Sequence, residues 1–273
     1  MLTESTINAA LAGLALGHPL HWFESIGSTN DAAKKLAAAG AATGTLVAAD
    51  VQSAGRGRAA NQWQTPPGSA LAATVILHPA LPAAQTAQLA LLGGLAAQRA
   101  ITAVTKLDAH LKWPNDVLIG DRKVCGVLAE SSFAGDCCEW VVLGFGINVN
   151  AAPQLSTAAA LPATALAVEA GSPVNRLHLL HALLAQLAAL LPMLGTAQLS
   201  AACNAILAWR GVRVEVDGAA PAAGVLQGLN ADGALQLRTD DGQTLTLHTG
   251  SLRPPAASLP KPIPTRAQCE STC

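Results

Sequence analysis

The sequence predicts an α+β fold: antiparallel hairpin strands with long helical segments around them, followed by a small C-terminal β-barrel. Three observations carry this. Between Leu111 and Asn148 four apolar runs follow one another at hairpin spacing, too close for the crossover helices that parallel strands need. Long alanine- and leucine-rich stretches on either side have helical length and periodicity. From Trp209 the texture changes to short strands punctuated by Asp232-Gly233 and Asp241-Gly242, both hairpin-turn dipeptides.

Taken in order, Glu4 to Leu16 reads as a short helix stopped by Gly17, and His21 to Ile26 as a strand. Ser28 and Asp31 fit a capping box that opens a helix running to Ala39, with Gly40 as its stop. A helix N-terminus also offers free N–H groups, so a ligand role for these hydroxyls stays open. Thr45–Asp50 and Ala70–His78 are strands, and Gln85–Val104 is a long helix with Leu89, Leu92, Ala96 and Ala100 near one face. The tightly spaced strands are Leu111–Trp113, Val117–Ile119, Val124–Ser132 and Glu139–Asn148, with Gly120-Asp121-Arg122-Lys123 and Ala134-Gly135-Asp136 as polar turns. Helices follow over Ala163–Ala170, Leu177–Leu194 and Ala197–Ala208, then strands Val212–Val216, Val225–Leu229, Ala234–Arg238 and Thr244–His248. The organisation expected is an N-terminal segment (1–20), a main domain (21–208), a small β-domain (209–255) and a disordered proline-containing tail (256–273).

Hydrophobic residues make up 51% of the 273, enough for a sizeable core and too many for a disordered chain. No apolar run free of Gly or polar interruption reaches membrane-span length; Leu177 to Leu194 comes nearest. No signal peptide is read, and six cysteines without a C-x-x-C pair suit reduced thiols, so a cytoplasmic protein is expected. His178 and His181 share a helix face, but two ligands without a third do not make a metal site.

The most informative stretch is Val51 to Trp63, V-Q-S-A-G-R-G-R-A-A-N-Q-W, between two strands. Gly55 and Gly57 permit close backbone approach or positive φ, and Arg56 and Arg58 carry forks that match carboxylate and phosphate oxygens. Net charge is −1, yet Val51 to Leu107 holds Arg56, Arg58, Arg99 and Lys106 and no acid. Such local positive potential favours a small anionic ligand. A dinucleotide fingerprint is excluded, because Pro66, Pro67 and Gly68 arrive before a helix can open and no acid follows until Asp108. On its own the loop also fits a solvated basic turn.

Lys112-Trp113-Pro114-Asn115-Asp116 decides between these. It lies between two strands, with Pro114 expected to break the ladder and expose Lys112. Together with Ser28-Thr29-Asn30, the Gly-Arg loop, Gly126 with Glu130, and Gly144-Phe145-Gly146-Ile147-Asn148, it resembles the biotin–protein ligases in order and spacing, over about Trp22 to Arg253. The resemblance implies a mixed, largely antiparallel sheet flanked by helices, related to that of class II aminoacyl-tRNA synthetases, and an SH3-like C-terminal barrel. It also implies a two-step reaction in which biotin and MgATP give biotinyl-5′-adenylate, and biotin then passes to a lysine of a carrier domain. The implied partner is the biotin carboxyl carrier protein of acetyl-CoA carboxylase or a related carboxylase. Some relatives carry an N-terminal DNA-binding module; with some twenty residues before the first catalytic strand, the monofunctional form without DNA binding is expected, as monomer or homodimer.

The resemblance also assigns residues. Biotin's ureido ring would meet Ser28, Thr29 and Gln52, supported by Asn30. Its apolar parts would lie along Val124 to Leu128, with Gly126 and Gly144 admitting close approach and Gly57 in the loop. Arg56, Arg58 and Lys112 would neutralise the carboxylate and phosphate as the catalytic groups, with no protein nucleophile and no protein metal site. Trp63 would cover adenine, Asn148 would lie near the nucleotide, and Asn115 and Asp116 would support Lys112 and the Mg2+ region. One departure stands out: Ala60 and Asn61 replace the family's third loop Gly and Arg, which predicts weaker retention of the adenylate. Two alternatives remain at this level, a lipoate–protein ligase-like enzyme and a non-catalytic biotin- or nucleotide-binding regulator.

Overall fold

Seven strands form the main sheet of this computed structural model, which describes residues 2–58, 62–63, 66–153, 161–218 and 221–253. In chain order they are β1 (Leu20–Ile26), β2 (Leu46–Gln52), β3 (Ala70–Leu77), β4 (Ala109–Lys112), β5 (Asp116–Ile119), β6 (Arg122–Ala134) and β7 (Cys137–Asn148). Across the sheet the order is β1-β2-β3-β7-β6-β5-β4. Only β1 and β2 run parallel, joined by the crossover helix α2 (Thr29–Ala38); the other pairs are antiparallel, as the hairpin spacing implies.

Both faces of the sheet are covered, and side-chain alternation sorts residues between them. On β7, Val141, Leu143, Phe145 and Ile147 join the large core under α3 (Ala87–Thr105). The alternate residue Val142 joins a small cluster with Ala33 and Ala37 of α2, Val47 and Ile76. Gly144, Gly146 and Asn148 share that alternate parity, so the glycines bare the sheet beside α2. On the other face Gly93 and Gly94 let α3 sit close: a Cβ at Gly93 would come within 2.7 Å of Val127 Cγ1, and one at Gly94 within 2.5 Å of Leu111 Cδ1.

Helix α3 is wedged between the sheet and α5 (Arg176–Leu190), with α1 (Glu4–Leu11) against α5. A largely apolar helix is the consequence, its apolar run interrupted by Gln88, Gly93, Gly94, Gln98 and Arg99. Ala83–Thr105 and Arg176–Met193 are both long and apolar enough to span a bilayer by length and composition, although 67% of the apolar window of the first is buried inside the protein.

Most boundaries move by a residue or two. Helix α1 stops at Leu11 rather than Leu16, with Gly13 at φ +83°. Helix α4 begins at Leu166, and α6 spans Ala197–Ala205. The expected capping box of α2 is half made. Ser28 Oγ accepts from Asp31 N at 3.4 Å, while the Asp31 carboxylate turns to Lys34 and Arg56.

Beyond α6 a second sheet has the order β11-β10-β9-β8-β12, from β8 (Arg213–Asp217), β9 (Ala222–Leu229), β10 (Leu235–Arg238), β11 (Thr244–Leu247) and β12 (Ser251–Arg253). Strand β12 is too short to stand out in sequence. Among the described residues no ladder joins β11 to β12, so the sheet is open in its hydrogen bonding. Residues 256–273, expected to be a disordered tail, lie outside the described residues. The hydrophobic core continues without a break from the first sheet into Val214, Val216, Leu226, Leu235, Leu237 and Leu252 of the second. Trp113 fills the seam: it is 2% exposed, its Nε1 donates to Gly233 O at 3.1 Å, and a Cβ at Gly250 would lie 3.6 Å from its ring.

Candidate functional site

A cavity of about 450 Å³ opens on the α2 face of the main sheet, where the glycines of β7 leave the backbone bare. It is lined from α2 by Ser28, Thr29 and Asn30, from β2 and its loop by Gln52, Arg56, Gly57, Arg58, Gln62 and Trp63, and from β5 and β6 by Asn115, Asp116, Lys123, Gly126, Val127 and Leu128. The second sheet supplies a further wall, Asp217, Gly218, Thr249, Gly250 and Ser251. Of the site residues read from the sequence, Lys112 and Asn148 lie off this lining, and of the Val124–Leu128 stretch expected along biotin only Gly126 to Leu128 reach it, Val124 and Cys125 being buried in the core. Lys112 and Asn148 are 2% exposed and sit behind the lining, Asn148 donating from Nδ2 to Thr164 O at 3.0 Å.

One end is a corner of hydroxyls and amides. Gln52 Oε1 accepts from Thr29 N at 2.8 Å and from Thr29 Oγ1 at 3.0 Å. Thr74 Oγ1 lies 2.8 Å from Thr29 Oγ1 and 2.7 Å from Asn30 Oδ1. Asn30 Nδ2 donates to Glu130 Oε2 at 2.9 Å. Gly144 makes the room for this: a Cβ there would stand 2.0 Å from Asn30 Oδ1. Its missing side chain therefore serves Asn30 itself.

Beside that corner lies a closed cluster of charges. Arg56 Nη2 is 2.7 Å from both Asp31 Oδ1 and Glu130 Oε2, and Lys34 Nζ is 2.9 Å from Glu130 Oε1 and 3.1 Å from Asp31 Oδ1. Two acids meet two cations, so this end is electrically balanced. The Glu130 hydrogen bond raises the Arg56 pKa above its ordinary value. Burial pushes Glu130 upward, but hydrogen bonds from Asn30, Lys34 and Arg56 outweigh it and hold the carboxyl below its usual range.

The loop after β2 is pinched shut at its base. Trp63 N donates to Gly55 O at 2.8 Å, and Arg56 bridges Gln62. Gly55 is needed for close approach rather than for positive φ, since a Cβ there would meet Trp63 O at 2.3 Å. The Trp63 ring lies on the bare backbone of β7, where a Cβ at Gly146 would stand 2.3 Å from it, and its Nε1 is buried without a partner. Ala60 and Asn61, the departure from the family loop, lie outside the described residues. Arg99 and Lys106 are exposed on or just after α3 and line no part of the cavity, so the basic character of 51–107 reaches the site through Arg56 and Arg58 alone.

The other end is cationic. Lys112 closes β4 and faces Asp116 across the β4–β5 turn, Nζ to Oδ2 3.2 Å. It is buried, not exposed as the Pro114 break led one to expect, because the turn tucks it beneath Asp116. Lys123 approaches the same carboxylate from the cavity side, Nζ to Oδ1 2.6 Å. Burial pushes Asp116 upward, but Lys123 and Lys112 outweigh it and leave the carboxyl below its usual range. Burial lowers Lys112 more than Asp116 raises it. Arg58, lowered by burial, donates to Asn115 Oδ1 at 3.2 Å and, across the seam, to Gly250 O at 3.1 Å; Asn115 is fixed in turn by Nδ2 to Val127 O at 2.7 Å. Here three cations, Arg58, Lys112 and Lys123, surround one carboxylate.

Sequence reading missed Lys123, taken for a turn residue, and the Asp217 and Thr249–Ser251 wall. Among the described residues no three or more His, Cys, Asp or Glu side chains come together as a metal site. A cavity with amide and hydroxyl partners at one end, a middle formed by Leu128 and the bare backbone of Gly126, Gly144 and Gly146, and surplus positive charge at the other suits an acid with a polar head, and an anion joined to it.

The chain also resembles known proteins in sequence and in fold. The model of the biotin/lipoate A/B protein ligase family matches residues 22–148. The chain is 35% identical over 225 residues to a biotin–[acetyl-CoA-carboxylase] ligase of Paracoccus denitrificans, a match covering 79% of this chain and 92% of that one. It is 40% identical over 149 residues to the bifunctional ligase/repressor BirA of Bacillus spizizenii, covering 55% of this chain and 46% of that protein, so it spans about half the length of that relative. Among solved structures, the biotin protein ligase from Aquifex aeolicus in complex with biotin and ATP superposes with a TM-score of 0.73 at 27% identity, over 86% of this chain and 97% of that one. A relative of 35% identity matched along nearly its whole length, together with the family model, places the chain: it belongs to the biotin–protein ligases of the biotin/lipoate A/B protein ligase family.

Proposed function

We propose that this protein joins biotin to ATP as biotinyl-5′-adenylate and transfers the biotinyl group to a lysine of a biotin carboxyl carrier domain, that of acetyl-CoA carboxylase or a related carboxylase. The observation that carries the reading is the polarity of the cavity: the hydroxyl and amide corner and the cationic end lie at opposite ends of one slot. In the first step a biotin carboxylate oxygen attacks the α-phosphorus of ATP, and the bond to the leaving pyrophosphate breaks. In the second the carrier lysine amine attacks the acyl carbon, AMP leaves, and the amine loses its proton.

In this reading Ser28, Thr29 and Gln52 serve the ureido ring, with Asn30 holding Thr74 and Glu130 in place. Gly57, Leu128 and the bare backbone from Gly126 to Val127 border the bicyclic ring and valeryl chain. Arg58 and Lys112 neutralise the two anions that must meet, a matter of positioning and charge rather than covalent catalysis. Arg56 contributes by releasing Asp31 and Glu130 or by holding the loop through them. Trp63 offers its face to adenine, with Asn115 and Asn148 behind. Mg2+ would arrive on the phosphates of ATP, since Asp116 is already held by two lysines. The five-stranded C-terminal sheet is read as an SH3-like unit beginning near residue 209, and the enzyme as cytoplasmic.

The test is incubation with ATP, an acetyl-CoA-carboxylase carrier domain, and either biotin or lipoate, followed by the carrier's mass. A biotin-sized increase with pyrophosphate release supports the reading; a lipoyl increase, or binding without pyrophosphate release, overturns it. A net charge of −1 gives DNA no electrostatic footing. Nanomolar, sequence-selective retardation of a DNA duplex would show a second activity that this reading does not contain.

A further inference from the structure

The main sheet divides where the Gly-Arg loop leaves it. The β2–β3 ladder runs from Leu46 opposite Val75 to Ala49 opposite Ala72 and stops there. Past that point β2 goes on with β1, through Ser25–Val51 and Ile26–Gln52, and β3 with β7, through Ala70–Asn148. A side chain spans the gap instead. Arg176 Nη1 donates to Asp50 Oδ1 at 2.5 Å and to Ala70 O at 3.1 Å, one partner on each strand. The other oxygen of Asp50, Oδ2, accepts from Gly68 N at 3.3 Å, on the far side of the loop. The two side chains are 11% and 26% exposed, so water screens the pair poorly. Arg176 is the first residue of α5, after the cap Asn175, whose Oδ1 accepts from Leu177 N and His178 N. A cation at that end opposes the helix dipole. Arg176 therefore needs a carboxylate where it stands, and Asp50 supplies it.

What lies between these anchors is the working part of the loop. Arg56, Gly57, Arg58, Gln62 and Trp63 all fall between Asp50 and Gly68, and all line the cavity, whereas Asp50 and Arg176 do not. Each end of the loop is fastened to its own half of the sheet. Ser53 N and Ala54 N donate to Ile26 O and Gly27 O on one side, and Ser69 O accepts from Val149 N and Asn150 N on the other. The Asp50–Arg176 pair joins the halves. On the proposed function, we propose that Asp50 and Arg176 are positioning residues: touching no substrate, they set the spacing of the loop's two ends and so keep Arg58 and Trp63 over the biotinyl-adenylate. A loop whose ends are already set costs less to order around a ligand.

The experiment compares the wild type with Arg176→Met and Arg176→Lys in two measurements. One is the release of supplied, labelled biotinyl-adenylate. The other is trypsin cleavage of the ligand-free protein after Arg56 and Arg58, which reads local opening of the loop, with the exposed Arg99 and Lys106 as sites outside it. Arg176→Met should release the adenylate and be cut in the loop roughly tenfold faster, the effect of one charge-assisted contact, with cleavage after Arg99 and Lys106 unchanged. Arg176→Lys, which keeps the charge, should recover part of both. Equal acceleration at Arg99 and Lys106 would mean that the whole fold has loosened, and the proposal fails. Faster loop cleavage with unchanged release would show a brace that the adenylate does not need, and wild-type rates in both would show no brace; either overturns it. A wild type that forms no biotinyl-adenylate from biotin and ATP refutes the parent reading, while the cleavage ratio still decides whether the pair holds the loop.

Discussion

The two arginines of the Gly-Arg loop lie two residues apart and do different work. Arg56 is tied to Asp31 and Glu130 in a cluster whose charges cancel. Arg58 is tied to an amide oxygen and a carbonyl, neither of which carries charge, beside two lysines sharing one carboxylate. The first fastens the loop to α2 and β6 through carboxylates; the second is held by neutral oxygens, with no carboxylate hydrogen-bonded to it among the described residues. Identical side chains in one motif therefore divide into a clasp and an electrode, and their partners, not their type, decide which is which.

The largest expected effect is at the cationic end. Lys112→Ala should slow biotin-dependent pyrophosphate release by roughly tenfold to a hundredfold, with less effect on transfer from supplied biotinyl-adenylate. Equal loss in both half-reactions would mean that Lys112 only props up Asp116. The next tests the corner. Gly144→Ala forces a Cβ toward Asn30 Oδ1, 2.0 Å away, and should cost about 1–3 kcal/mol of stability together with affinity for biotin. Unchanged melting would show that Asn30 can retreat freely.

A smaller effect separates clasp from electrode directly. The salt dependence of ATP binding should weaken more in Arg58→Gln than in Arg56→Gln, because Arg58 lies among the surplus cations whereas Arg56 sits between two carboxylates. The reverse order would break the distinction. Smallest is the pH effect. Glu130 is held below its ordinary pKa, so the stability it contributes is full above the unfolded value of about 4.3 and is lost as pH falls through the lowered folded value. Glu130→Gln should flatten the acid limb of the melting temperature against pH. An unaltered limb would assign acid sensitivity elsewhere, Asp116 being the next candidate by the same sign.

The sequence discloses most of what is local here and little of what is distant. Hairpin spacing between Leu111 and Asn148, the loop glycines and the Lys112–Asp116 motif all act within a few residues, and each was legible. Lys123 was not, because its direction depends on a bulge, and a bulge leaves no mark in a sequence that reads as a polar turn. The burial of Lys112 was misread for a similar reason. Proline does end β4, but the turn it makes folds Lys112 under Asp116. Gly126 and Gly144 were placed rightly as sites of close approach, yet the approaching groups are Lys123 and Asn30, side chains of the protein itself. The Asp217 and Thr249–Ser251 wall lies far along the chain from the loop it faces, and only the docking of the two sheets brings it there.

That wall has a thermodynamic consequence. The cavity is a seam, closed on one side by the second sheet and crossed by the Arg58 hydrogen bond to Gly250. A small molecule filling it touches both sheets and is released by anything that parts them. Occupancy and docking are then one equilibrium seen from two sides: a ligand at a hundred times its dissociation constant adds about 2.7 kcal/mol against separation of the sheets. Amide-exchange protection along β12 becomes a gauge of substrate concentration, read from a strand that carries none of the proposed catalytic residues.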